Sequence, residues 1–118
     1  MKNVQRAIKK IILSLSLVPL SSLADEPAST AQSRPYYDCM KSETSKYSKK
    51  TDQVNDAILA ASDSCSEERK KLMGHIISEL IYTKGMPGNE AVKVAEIAVG
   101  HVDERMRPSL VKAALDSR

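Results

Sequence analysis

The chain has 118 residues, enough for one domain and one small core, with 18 Lys and Arg against 15 Asp and Glu and a formal charge of +3. It holds no Phe, no Trp and four Tyr, so its core must be built from Ile, Leu, Val, Met and Ala, which bury less area each than aromatic rings do. A domain of that kind is marginal alone and needs a staple or a partner subunit.

The positive charge is concentrated at one end. Lys2, Arg6, Lys9 and Lys10 form a basic stretch free of acids, followed by the apolar block Ile11 to Leu20 and then Ser22-Leu23-Ala24. This three-part layout predicts a secretory signal peptide over residues 1–24. The block is too short to span a bilayer, which takes about 20 residues. No cysteine follows the expected cut, so no lipid anchor and no stable membrane attachment is expected after cleavage. The remaining chain has 14 basic residues against 15 acidic ones, a net charge of −1. A nucleic-acid partner, which rests on excess positive charge, is therefore not expected. The expected location is the periplasm or the secreted fraction.

Residues 25–34, with Asp25, Pro27 and small polar side chains, read as a disordered leader, and residues 35–118 as the helical domain. Pro35 suits the first turn of helix A. Tyr36, Met40, Glu43 and Tyr47 follow at helical spacing, with Cys39 on the same side, until the polar run Ser48-Lys49-Lys50. Thr51 or Asp52 is a suitable N-cap for helix B. Its face runs through Val54, Ile58, Ala61 and Cys65 and resumes in phase at Leu72, Met73, Ile76, Ile77 and Leu80. That phase favours one long helix, kinked if at all. A break is also open, because Ser62-Asp63-Ser64 could end one helix and Ser64-x-x-Glu67 could cap another.

Lys84 followed by Gly85 predicts the end of helix B in a left-handed cap. Asn89 is expected to cap helix C, whose stripe is Val92, Ala95, Val99, Val102 and Met106. Pro108 clashes with the carbonyl of Glu104 in a regular helix, so it should kink helix C or open a short fourth helix. The fold expected is all-α: an antiparallel bundle of three to four helices with one disulfide.

That disulfide is Cys39–Cys65. An exported chain with two cysteines has an even number to pair. The midpoint of 39 and 65 is residue 52, where the cap signal sits, so an antiparallel hairpin turning there brings the two cysteines level on facing stripes. A redox-active pair in the Cys-x-x-Cys pattern is absent. Cys39, Cys65, His75 and His101 lack the paired close spacing of a structural zinc site, so neither a metal nor another cofactor is expected. His75 and His101 have no evident nucleophile or orienting partner, and no catalytic residue is named. The basic clusters at residues 45–50 and 69–71 read as solvated helix faces.

Tyr36-x-x-Cys39, Tyr47, Ala57, Ala60-Ala61 and Cys65 resemble a loose group of small uncharacterised bacterial periplasmic two-cysteine helical proteins. The resemblance covers about residues 36–72 and implies a helical hairpin with one bridge, but no activity. A binding or interaction protein (an inhibitor, immunity factor or adaptor) is the function expected, with another protein as its partner. A periplasmic stress chaperone is the alternative; an enzyme is not expected. A homodimer is expected too, because the apolar residues of helix B's second half and of helix C spread over more than one side. The competing arrangement is a monomer in which the segment after Pro108 folds back over that surface.

Overall fold

A computed structural model describes residues 31–118. Four helices are present: α1 (Arg34–Ser48), α2 (Val54–Ser64), α3 (Ser66–Tyr82) and α4 (Gly88–Asp116). Among the described residues there is no strand. The fold is an all-α bundle, as expected, with the cysteine pair at bonding distance. The expected signal peptide and most of the expected leader lie outside the described residues. The leader's last four residues do not fit the expected disorder: 31–33 form a turn, α1 starts at Arg34, and Ser33 is buried.

Pro35 sits in the first turn of α1, where its missing N–H costs nothing. The buried residues of α1 are Tyr36, Met40, Thr44 and Ser48, an unbroken i+4 row. The expected stripe placed Glu43 and Tyr47 in the later turns instead, and both are only half-buried. Small side chains at 44 and 48 let α2 approach closely. Ser48 satisfies its hydroxyl by donating to the Ser45 carbonyl at 2.7 Å. The cap of α2 is Gln53 rather than Thr51 or Asp52. Thr51 still acts on the turn, its Oγ1 accepting from the Gln53 N–H at 3.1 Å.

The expected single long helix B is two helices. Cys65, with φ −101° and ψ 19°, leaves helical geometry between α2 and α3. Two features account for the break at this residue. The disulfide holds the Cys65 Cα 5.9 Å from that of Cys39, and Ser62 donates to the Ile58 carbonyl at 3.0 Å, a bond that bends helices. Ser64 does not cap α3; its hydroxyl pairs with Tyr47 at 3.1 Å. The apolar stripe keeps its phase because Cys65 N–H still reaches Ala61 and Arg69 N–H still reaches Cys65, at 2.9 and 3.1 Å.

Gly85 ends α3 in the expected left-handed conformation, with φ 66°. Its N–H donates to the Ile81 carbonyl at 3.1 Å. Pro87, not Asn89, is the N-cap of α4, and no side chain bonds to its first N–H groups. Helix α4 neither breaks nor restarts at Pro108; it continues as one helix of 29 residues, about 43 Å long. The fourth helix of the bundle therefore comes from the split at Cys65.

The reason for this continuity lies in what α4 touches. Its C-terminal half buries Met106, Leu110, Ala113 and Ala114, in the half of the bundle built from α1 and α2. Arg107 Nη2 also donates to Asn55 Oδ1 on α2, and Arg118 reaches the Thr51 carbonyl at 3.1 Å. Burial on both sides of Pro108 offsets the hydrogen bond that the proline removes. The main core gathers Tyr36, Met40, Ile58, Ala61, Cys65, Leu72, Val99, Met106 and Leu110 from all four helices.

Candidate interaction face

The N-terminal half of α4 packs on α3, and this end of the bundle is only two helices deep. Ala91, Ala95 and Val99 are buried there, as small residues at i+4 spacing allow helix axes to come close. In α3 only Leu72 is fully buried. Met73 and Ile76 pack against the edge of the core, while Ile77, Leu80 and Ile81 are half-exposed. Tyr82 is 86% exposed, Ile97 63%, Val92 41% and Val94 36%.

A groove of about 530 Å³ runs along this surface. Leu72, Ile76, Ala98 and Val102 supply its apolar lining, and His75, Glu79 and Thr83 its polar groups. Gln32 and Ser33, just before α1, close one end. The segment after Pro108 does not cover this surface, because α4 carries it straight on to the opposite end.

Below the groove, three helices are tied by one polar cluster. The Tyr36 hydroxyl donates to Asp103 Oδ1 at 2.6 Å, and Arg69 Nη2 donates to Asp103 Oδ2 at 2.9 Å. Burial, followed by the bond to the Asp103 carboxylate, pushes the Tyr36 phenol well above its ordinary value. Arg69 is held more firmly protonated by its bond to the same carboxylate. Asp103 on α4 accepts from Tyr36 on α1 and from Arg69 on α3, so the cluster acts as a clamp among the three helices. Sequence reasoning missed it. Tyr36 and Asp103 are 67 positions apart, and no local pattern links them.

Cys39 and Cys65 come together as expected, bridged with their Cα atoms 5.9 Å apart, and join α1 to the α2–α3 junction. Glu68 Oε2 lies 3.7 Å from Cys39 Sγ. The two sulfurs and the carboxylate form a compact donor group, but bridged sulfurs offer no thiolate to a cation. His75 and His101 are both exposed and not joined to the clamp. His101 Nδ1 lies 3.9 Å from Glu104 of its own helix. The basic clusters are locally engaged: Lys46 with Glu43 at 3.8 Å, Lys70 with Glu67 at 3.5 Å, and Arg69 in the clamp. Lys46 and Lys50 also lie 5.8 and 5.7 Å from the centre of the Tyr47 ring.

No protein-family model, curated protein or solved structure matches this chain. No helix among the described residues is long and apolar enough to cross a membrane.

Proposed function

We propose that this protein is a small exported interaction protein, acting as an inhibitor, immunity factor or adaptor, and that it docks its partner on the two-helix end of the bundle. One observation carries the reading. Among the described residues four of the six exposed large apolar side chains, Tyr82, Val92, Val94 and Ile97, lie at that end, with Leu59 and Leu115 set apart on other helix segments; Val94 and Ile97 share one side of α4, from which Val92 is turned away. Apolar side chains gathered on one part of a surface mark a contact site, whereas scattered ones need no explanation. The rest of the bundle supplies rigidity: the disulfide and the Tyr36–Asp103–Arg69 clamp hold α3 and α4 on α1. A rigid face loses little conformational entropy on binding, which favours affinity. A chaperone switched on by stress would gain apolar surface under stress, whereas this surface is already exposed in the folded chain.

The test is capture from a periplasmic extract by the tagged, processed protein and by Ile97→Glu. Ile97 is 63% exposed, so the substitution leaves the bundle folded. Loss of one specific protein in the variant supports the reading. Equal capture by both places the contact elsewhere and overturns it.

A further inference from the structure

The outer side of α4 carries a stripe that no other described part of the chain covers. Glu90, Val94, Ile97 and His101 are all exposed, at successive steps of four, three and four residues. At 100° per residue those steps keep the four side chains within one narrow arc of the helix. The stripe has an apolar centre and polar ends of opposite character, a carboxylate at one end and an imidazole at the other.

We infer that the partner of this stripe is a second copy of the same chain, with two α4 helices antiparallel about a two-fold axis between residues 95 and 96. The inference rests on the interaction reading above in taking this stripe as a contact surface, which the second copy holds until another protein displaces it. In this register Val94 meets Ile97 of the other copy, and Glu90 meets His101, each contact occurring twice. A two-fold interface must be self-complementary, and this stripe is: its centre is apolar on both copies, and each end meets its opposite. Moving the axis one residue further on, between 96 and 97, destroys that match. Glu90 then stands level with Asp103, which is held in the clamp on another side of α4, and Val94 with Val99, which is buried inside its own bundle, so neither meets a residue of the stripe. His101 is free to exchange partners, since its contact with Glu104 is loose, at 3.9 Å, and both side chains are largely exposed.

Two segments of the chain that remains once the expected signal is removed do not fit the stripe. The C-terminal half of α4 is committed to α1 and α2 at the far end. Residues 25–30, Asp-Glu-Pro-Ala-Ser-Thr, hold no large apolar side chain. The seam from Glu90 to His101 is about 17 Å long.

Sedimentation equilibrium of the exported, processed protein over roughly 5 to 200 µM reads this directly. The expected result is a mean mass that climbs from one chain toward two. Ile97→Glu should hold it at one chain. His101→Glu should weaken association at least about fivefold by setting two carboxylates against each other, and Glu90→Lys combined with His101→Glu should restore it. Rescue by the swapped pair separates this register from general stickiness. A mass of one chain at every concentration overturns the inference, as does a double variant no better than His101→Glu. The two readings fail separately. A monomer whose Ile97→Glu variant still loses its captured protein leaves the interaction reading standing without the dimer. A dimer abolished by Ile97→Glu, with capture unchanged, leaves the dimer without the docking site.

Discussion

Replacing both cysteines by alanine measures what the bridge contributes to this bundle. Cys39 and Cys65 are 26 positions apart. In the chain-entropy description, closing a loop of that length removes about 12 cal/mol/K from the unfolded chain, or about 3.5 kcal/mol at 25 °C. Cys65 is fully buried in the core cluster, so removing its sulfur adds a small packing loss, about 0.5–1 kcal/mol. A domain of this size has roughly 5–10 kcal/mol in total, so the pair of substitutions removes a large share. The expected fall in melting temperature is about 15–25 °C. Urea unfolding followed by circular dichroism, oxidised wild type against Cys39→Ala/Cys65→Ala, gives the comparison. The urea slope should also rise in the variant, because an unbridged unfolded chain exposes more surface. A loss below about 1 kcal/mol with an unchanged slope would refute the reasoning, since the bridge would then not restrict the unfolded chain.

Two further measurements address the core and the clamp. The Tyr36 phenol is raised in the folded state, whereas the unfolded chain ionises near its ordinary value of about 10. Above that pH the unfolded state binds fewer protons than the folded one, so stability is flat up to about pH 10 and falls beyond it. Tyr36→Phe should lose about 1 kcal/mol at neutral pH and show a shallower alkaline fall; parallel falls in both proteins would remove Tyr36 as the cause. Leu72 is the one fully buried residue of α3, so Leu72→Ala should cost about 2–4 kcal/mol, whereas Ile97→Ala, mostly exposed, should stay within about 0.5 kcal/mol. Urea midpoints of the two variants, taken at a concentration low enough to keep single chains, check the contrast, and similar losses would mean that Ile97 is packed within its own chain.

The helices, most of their buried stripes and the cysteine pairing were legible in the sequence. Helical periodicity is a local property, set by contacts one turn apart, so Val54, Ile58, Ala61, Cys65 and Leu72 show their shared face without any tertiary information. The pairing of Cys39 with Cys65 follows from the same periodicity once the turn is placed near residue 52. Gly85 marks its helix end because the left-handed backbone there is a local requirement. What tertiary structure decided is everything that depends on a distant partner. The break at Cys65 comes from a covalent tie to α1, and the burial of Thr44 and Ser48 from the close approach of α2. Asp103 gathers Tyr36 and Arg69 only because three helices meet there. Pro108 stays inside α4 because the core on both sides of it offsets the bond it forfeits at Glu104. That continuous helix carries the C-terminus to the far end of the bundle, and so leaves the α3–α4 surface open.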